Sequence, residues 1–107
     1  MPHKANWVYM TAKDREEAVM IGEKLVESSL AACINIIGNI DAIFMWEGRV
    51  EQGTEVAFIA KTTAARMPEL VETVRALHSY DEPCIISLPI SNGSPGFIDW
   101  ISETVGP

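Results

Sequence analysis

The sequence predicts an α+β fold, namely a ferredoxin-like βαββαβ domain with an antiparallel sheet, two helices on one face of that sheet and a short C-terminal helix. Runs rich in aromatic and β-branched residues alternate with stretches in which apolar residues recur at helical spacing. The two middle strands follow one another directly, which favours an antiparallel hairpin. With 107 residues, 48% of them hydrophobic, the chain can build one core, so we expect a single domain over residues 1–107.

The first strand and the first helix are separated by a change of pattern near residue 13. The aromatic and β-branched run from Trp7 to Ala12 predicts β1 over residues 5–12. Asp14, followed three residues later by Glu17, is typical of a capping box and predicts α1 over residues 14–29. Because the apolar residues of this helix recur along one face, we expect Glu17 to point away from the core.

A long antiparallel hairpin explains the middle of the chain. Residues 30–50 are mostly apolar and β-branched, which is too long for one ordinary strand of about five or six residues. Gly38-Asn39 indicates a bulge or bend within this segment. The polar residues between 47 and 53 predict the hairpin tip, and residues 55–61 then alternate between two faces. β2 and β3 therefore pair with each other.

The last third of the chain predicts a helix, a short strand and a terminal helix. Pro68 suits a first helical turn, and the apolar spacing that follows places α2 over residues 66–78. The next apolar run places β4 over residues 84–88, and Pro89 indicates either an edge strand or the end of the strand. A turn cluster then leads into a short helix over residues 97–105 that covers the sheet.

Two short helices cannot hide all the apolar surface of this sheet. The surplus aromatic residues are Trp7, Tyr9, Phe44, Trp46 and Phe58. A monomer rarely exposes an apolar patch larger than a few hundred Å². We therefore expect the chain to associate with further copies of itself through the open sheet face or through the hairpin.

Charge and missing motifs exclude several classes of function. Eight basic residues stand against fifteen acidic ones, and the net charge of −7 repels nucleic acid and anionic membrane surfaces. No apolar run reaches the roughly 18 residues of a membrane span, and no signal-peptide pattern is present, so we expect a cytoplasmic protein. Phosphate-loop, dinucleotide-binding, zinc-protease and hydrolase-nucleophile motifs are missing. We therefore expect no enzymatic activity.

Metal binding is the chemistry that the residues leave open. Cys33, Cys84 and His78 offer soft or borderline ligands, although no Cys-x-x-Cys pair is present. Each has a structural alternative, the thiols as small buried hydrophobes and His78 as a residue that interacts with the dipole at the end of α2. Lys61 ends an apolar strand and requires a partner, for which Tyr80-Asp81-Glu82 is the candidate.

Five segments, in this order and with compatible spacing, resemble the CutA proteins, a family named for divalent-cation tolerance. They are AACINI at 31–36, FMWEGRVE at 44–51, EVAFIAKT at 55–62, LHSYDEP at 77–83 and FIDW at 97–100. The resemblance spans nearly the whole chain. It implies a tight homotrimer of ferredoxin-like subunits, similar in design to the nitrogen-regulatory signalling trimers, whose β2–β3 hairpins reach onto neighbouring subunits.

The resemblance also implies a link to copper and other divalent cations. It places the family's two candidate metal ligands at Cys33 and His78. It also implies a cleft between subunits that is lined by Trp46, Lys61, Tyr80 and Asp81. The sequence departs from the family pattern where proline, glutamate, glutamate and tyrosine are usual, at Ser79, Asp81, Cys84 and Phe97. These departures change the carboxylate geometry of the expected cleft.

The sequence thus predicts a cytoplasmic, trimeric copper or divalent-cation tolerance protein that binds or responds to metal ions. It predicts no obligatory cofactor, with copper or another divalent cation as the ion that the protein binds. The expected partners are metal ions and further copies of the chain, not nucleic acid or membrane. The alternative is a trimeric signalling or scaffold module whose inter-subunit cleft binds a small ligand or a partner protein.

Overall fold

A computed structural model of the chain describes residues 5–107 and contains a four-stranded antiparallel sheet of strand order β2-β3-β1-β4. The elements are β1 (Ala5–Ala12), α1 (Arg15–Glu27), β2 (Cys33–Trp46), β3 (Arg49–Thr63), α2 (Met67–Leu77), β4 (Ile85–Pro89) and α3 (Pro95–Val105). This order confirms the predicted α+β class and the βαββαβ arrangement. The three helices, β1 and β4 each begin and end within two residues of the predicted bounds.

The predicted capping box closes the N-terminus of α1. The Glu17 N–H donates to Asp14 Oδ1 at 2.8 Å, and the Lys13 N–H donates to Glu17 Oε1 at 2.9 Å. The expectation that Glu17 points away from the core is wrong, because this residue is only 6% exposed. Its carboxylate reaches the loop after α2, where the Ser79 N–H donates to Oε2 at 2.8 Å and the Ser79 hydroxyl to Oε1 at 3.0 Å.

The core lies between the sheet and the two helices α1 and α2. Residues that pair across neighbouring strands share a face of the sheet, and alternate residues of β1 and β3 face these helices. The largest core side chains are Val8, Met10, Ile21, Leu25, Leu30, Phe58, Leu70 and Val74. Phe58, expected among the surplus aromatics, is instead fully buried, because it pairs with Met10 on the helical face.

β2 and β3 form the predicted long hairpin. Their pairing runs from Cys33 opposite Lys61 to Trp46 opposite Arg49, and a bulge lies between Ile36 and Gly38, where the sequence predicts one. The turn consists of Glu47 and Gly48 alone, and residues 51–53 belong to β3, so the predicted tip is too long. The turn is tight because both of its residues adopt positive φ angles, 48° and 77°.

The sheet face away from α1 and α2, here named the open face, is mostly uncovered in one chain. It carries Trp7, Tyr9, Cys33, Asn35, Ile59, Lys61, Ile86 and Leu88. β4 is an edge strand, one of the two predicted alternatives, and its Ile86 and Leu88 are 60% and 59% exposed. Among residues 5–107, no helix combines the length and the apolar character that a membrane span requires.

One end of the open face is covered by α3. Its contacts with the start of the sheet form a second apolar cluster of Ala5, Ala32, Ile98, Ile101 and Val105. Arg66 fixes the end of this helix, because its Nε and Nη2 donate to the Val105 carbonyl at 3.1 and 2.7 Å. The position of α3 on the face opposite α1 and α2 therefore depends on both apolar packing and a charged cap.

Candidate functional site

Cys33 is the first residue of β2 and lies on the open face. It is half-buried, forms no disulfide and pairs across the sheet with Lys61 of β3. The two alanines before it are buried, and the Ala32 N–H donates to the Lys61 carbonyl at 2.8 Å. The small residues thus let the chain enter the sheet close to β3, and the thiol is left at the surface of the open face rather than in the core.

His78 caps the C-terminal end of α2, and its side chain is completely buried. Nε2 lies 2.8 Å from the Thr11 carbonyl oxygen, and the Tyr80 N–H donates to Nδ1 at 3.1 Å. A carbonyl only accepts and an N–H only donates, so this pair of contacts selects the neutral ring with its proton on Nε2. Both nitrogens are occupied, and a metal ion must displace one of these partners to reach the ring.

Cys33 and His78 do not lie together in one subunit. Cys33 pairs with Lys61, and Lys61 pairs with Trp7, so Cys33 lies at the height of Trp7 in the sheet. His78 instead contacts Thr11. Residues 7 and 11 are about 13 Å apart along β1, at about 3.3 Å per residue. The two candidate metal ligands are therefore too far apart within one chain to bind the same ion. Among residues 5–107, no three His, Cys, Asp or Glu side chains group together in a way that could hold a metal ion.

Lys61 has other partners than the sequence predicts. Its ammonium donates to the Asn35 side-chain oxygen, and Nζ lies 5.9 Å from the centre of the Phe97 ring. In the predicted partner segment, Glu82 pairs instead with Arg75 at 2.8 Å, and Tyr80 contacts Glu55. Within residues 5–107, no carboxylate lies in ion-pair distance of Lys61.

A second group of ionisable residues surrounds Glu55 of β3. Partial burial raises the pKa of Tyr80 to about 12, helped by the charge of Glu55 and by the hydrogen bond between the two side chains. Partial burial also raises the pKa of the Cys84 thiol, and Glu55 raises it further. The phenol and the thiol are therefore both neutral near pH 7. Asp81, the next residue of the loop, is exposed.

The four residues expected in a cleft are distributed along the molecule. Trp46 is 59% exposed at the hairpin tip, opposite Arg49. Arg49 and Lys61 are about 40 Å apart along β3, at about 3.3 Å per residue. One chain therefore cannot bring Trp46 beside Lys61, and a cleft that contains both must combine residues of two chains.

Glu17 and Glu55 are site residues that the sequence reasoning missed. Glu17 fits a surface position in a capping box, so its second role, the hydrogen bonds from Ser79, left no signal in the helical pattern. Glu55 stands in the alternating stretch after the hairpin tip, where an acidic residue is ordinary for an exposed position. Its contact with Tyr80 depends on how the loop after α2 returns to the sheet.

Comparison with known proteins agrees with this fold and these residues. Residues 6–104 match the family described as CutA1 divalent ion tolerance protein. The chain is 47% identical over 100 residues to the divalent-cation tolerance protein CutA of Archaeoglobus fulgidus, covering 94% of this chain and 97% of that one. It is 40% identical over 99 residues to the CutA protein of the same description from Thermus thermophilus, covering 92% and 96%.

Solved structures are similar to the same extent. The periplasmic divalent cation tolerance protein CutA from Archaeoglobus fulgidus superposes with a TM-score of 0.92 at 46% identity, covering 95% of this chain and 99% of that one. The Thermus thermophilus divalent cation tolerance protein gives a TM-score of 0.93 at 39% identity, with the same coverage. The chain thus has the fold of the divalent-cation tolerance proteins, and it belongs to the CutA1 family. The description of this family names tolerance of divalent ions and no catalysed reaction.

Proposed function

We propose that this protein binds copper or a related divalent cation through Cys33 and acts in cation tolerance as a cytoplasmic homotrimer without an obligatory cofactor. The observation that carries the proposal is the position of Cys33, a free and half-buried thiol on the open face of a chain that belongs to a cation-tolerance family. Thiolates favour soft and borderline cations, and a partly accessible thiol can exchange its proton for such an ion, with the proton released to solvent.

The ligand set supports assembly of several chains. One subunit supplies a single thiol at Cys33, and both His78 nitrogens are occupied by backbone groups. One ligand per chain binds a metal weakly, so a tight site requires ligands from neighbouring subunits. The exposed hairpin tip, with Trp46 59% and Met45 66% exposed, provides apolar surface through which neighbours can associate.

Substitution of Cys33 tests the metal proposal. We expect Cys33→Ser to keep the fold and the assembly, at a cost of at most about 1–3 kcal/mol for a hydroxyl in a partly apolar place. We expect the variant to bind less copper per chain in isothermal titrations with Cu(I), Cu(II) and Zn(II). Cys84→Ser is the matched control, because Cys84 is also a half-buried free thiol but its raised pKa disfavours the thiolate. It should bind copper as the parent does.

Two results would contradict this assignment. If Cys33→Ser binds copper with the stoichiometry of the parent, Cys33 is a packing residue and the proposed site is wrong. If Cys84→Ser loses copper to the same extent as Cys33→Ser, the binding reflects thiol content rather than position. Light scattering and circular dichroism on both variants ensure that a change in binding is not a change in folding.

A further inference from the structure

The loop between β4 and α3 contains an asparagine directly followed by a glycine, Asn92-Gly93. The other three asparagines, at positions 6, 35 and 39, are each followed by a bulky side chain. The amide of asparagine is thermally labile, because the backbone nitrogen of the next residue can attack its side-chain carbon Cγ. Glycine in that next position favours the attack, since it has no Cβ to obstruct the approach and adopts the widest range of backbone angles. Asn92 is therefore the asparagine most prone to this reaction.

Neither reacting group is engaged elsewhere in the described part of the chain. Asn92 and Gly93 are both exposed and belong to no helix or strand. Within residues 5–107, the Asn92 amide forms no hydrogen bond and the Gly93 N–H donates to no acceptor. The backbone rotation that brings the Gly93 nitrogen to Asn92 Cγ therefore breaks no hydrogen bond, and local motion costs least where that holds.

The loop leaves the sheet at the end opposite the hairpin tip. It begins where the Ile90 N–H donates to the Ala5 carbonyl at 2.9 Å, and Ala5 pairs with Thr63 at the end of β3. Thr63 and Arg49, beside the hairpin tip, are about 46 Å apart along β3, at about 3.3 Å per residue. The hairpin tip of the same chain therefore does not cover Asn92, and measurement on the assembled protein includes any cover that a neighbouring subunit provides.

Gly93 lies close to α3. A Cβ at this position would lie 3.2 Å from Ile98 Cδ1, which is closer than ordinary van der Waals contact. Ile98 is only 6% exposed and belongs to the second apolar cluster, which holds α3 to the sheet. The packing of α3 therefore favours the residue that makes Asn92 reactive.

Residues 91–93 form a short link between two fixed points. At one end the Ile90 N–H is bound to the sheet, and at the other the Ser94 carbonyl accepts from the N–H groups of Phe97 and Ile98, both at 3.1 Å, in the first turn of α3. A link this short has little slack. A change in its main chain is therefore transmitted to the start of α3.

We infer that Asn92 is a site of spontaneous deamidation, and that its conversion to isoaspartate loosens the start of α3. The Gly93 nitrogen bonds to Asn92 Cγ and gives up its proton, the Cγ–Nδ2 bond breaks, and Nδ2 takes up a proton and leaves as ammonia. Water then opens the cyclic imide, its hydroxyl going to a carbonyl carbon and its proton to the Gly93 nitrogen. Attack at Cγ gives aspartate, and attack at the main-chain carbonyl carbon gives isoaspartate.

The two products differ in their effect on the link. Both add one negative charge to the net charge of −7. Isoaspartate alone routes the main chain through Cβ and Cγ, which lengthens the link by one atom and moves Gly93 relative to Ile98. The reaction needs only water, so the inference is independent of the proposed cation binding.

Incubation of the assembled protein at neutral and at mildly alkaline pH tests the chemistry. Peptide mapping by mass spectrometry should show a gain of one mass unit at Asn92, with isoaspartate among the products, and a faster reaction at the higher pH because the attacking nitrogen loses its proton. Asn39 is the internal control, since it is also exposed but lies in β2 opposite Val56 and precedes Ile40. It should react at least about tenfold more slowly.

The same chain unfolded in denaturant gives the rate without structural constraint. The folded, assembled protein should react at Asn92 within about tenfold of that rate. A slower reaction, or an equal reaction at Asn39, overturns the assignment. Asn92→Gln keeps an amide but requires a larger ring for the same attack, so this variant should not react at position 92 on the same timescale.

Hydrogen exchange tests the effect on α3. In the incubated parent, the amides of Phe97 and Ile98 should exchange about tenfold faster than in fresh protein, because the first turn of α3 opens more often. Incubated Asn92→Gln is the control for other damage and should exchange as fresh protein does. Fresh Asn92→Asp carries the charge without the longer main chain and should also resemble the fresh parent. Unchanged exchange in the incubated parent, or equally fast exchange in Asn92→Asp, would show that isoaspartate does not loosen α3.

Discussion

At the scale of single residues, Glu17 connects more of the molecule than its place in a capping box requires. Its carboxylate accepts hydrogen bonds from Lys13, at the start of α1, and from both the backbone and the hydroxyl of Ser79, after α2. His78 Nδ1 lies 4.0 Å away. Burial raises the pKa of Glu17, but the hydrogen bonds from Lys13 and Ser79 lower it more, so that it lies below the ordinary 4.5.

We therefore predict that Glu17→Gln destabilises the protein by about 1–3 kcal/mol at pH 7, the range for hydrogen bonds to a buried charged group. The pH dependence has a definite sign. Because the pKa of Glu17 is lower in the folded protein than in the unfolded chain, its contribution to stability is complete above pH 4.5 and is lost as the pH falls through the lower folded pKa.

Chemical denaturation at pH 7 and at a series of lower pH values measures both effects. The parent should lose stability below pH 4.5 more steeply than the Glu17→Gln variant, in which this carboxylate is absent. Glu16→Gln is the matched control, since Glu16 is the exposed neighbour in the same turn. Equal stability of Glu17→Gln and Glu16→Gln at pH 7 would contradict the role of Glu17.

The sequence predicts which residues belong to the candidate site better than it predicts the contacts that these residues make. Cys33 follows two alanines, and that local pattern is enough to place it at the start of a strand. The contacts of His78 involve the Thr11 carbonyl, which is distant in the sequence and carries no side-chain signal. The sequence indicates that Lys61 needs a partner, but Asn35 and Phe97 reach it only through the register of β2 and the docking of α3.

At the scale of secondary-structure elements, the C-terminal end of α1 contains a strained residue. Ser29 has a φ of 57°, in the left-handed region that favours glycine. The surrounding hydrogen bonds form a Schellman motif, with the Leu30 N–H donating to the Leu25 carbonyl at 2.9 Å and the Ser29 N–H to the Val26 carbonyl at 3.1 Å. Leu25 and Leu30 are both in the core, so the strain at Ser29 is compensated by packing.

We predict that Ser29→Gly stabilises the protein by about 0.5–1 kcal/mol. Relief of the left-handed conformation gains about 1–2 kcal/mol, and the greater freedom of glycine in the unfolded chain removes about 0.4–1 kcal/mol of that gain. Ser28→Gly is the control, since Ser28 has a φ of −88° and gains no such relief. Thermal or chemical unfolding measures the stability of both variants. A stabilised Ser28→Gly variant with an unchanged Ser29→Gly variant would refute the predicted relief of strain at Ser29.

The elements themselves follow closely from local patterns, and the exceptions have physical reasons. The sequence predicts the bulge near Gly38 because a run of apolar residues that long needs an irregularity. Gly38 has a φ of 134°, which shows why glycine stands there. The sequence predicts too long a hairpin tip because polar residues 51–53 resemble a turn. They remain in β3 because Glu47 and Gly48 complete the turn, and a hairpin outside the core tolerates polar residues on both faces.

At the scale of the whole molecule, the apolar surface is distributed unevenly. The chain extends over 46 × 25 × 22 Å, and the hairpin reaches beyond the part of the sheet that α1 and α2 cover. The large exposed apolar residues of the hairpin are Ile37, Ile43, Phe44, Met45, Trp46 and Val50. Ile86 and Leu88 add a second exposed group on the edge strand β4. Surfaces of this kind in a folded protein mark association sites.

The proposed homotrimer leads to the last prediction. Light scattering of the parent protein at micromolar concentration should give about three times the 11.8 kDa of one chain. Trp46→Lys places a charge at the hairpin tip, where association must remove the side chain from water, and it should shift the mass toward that of one chain. Met20→Lys, on exposed α1 surface at 42% exposure, should leave the trimer intact. A well-folded monomeric parent would contradict the trimer, and a trimeric Trp46→Lys variant would show that the hairpin tip is not the contact that holds it.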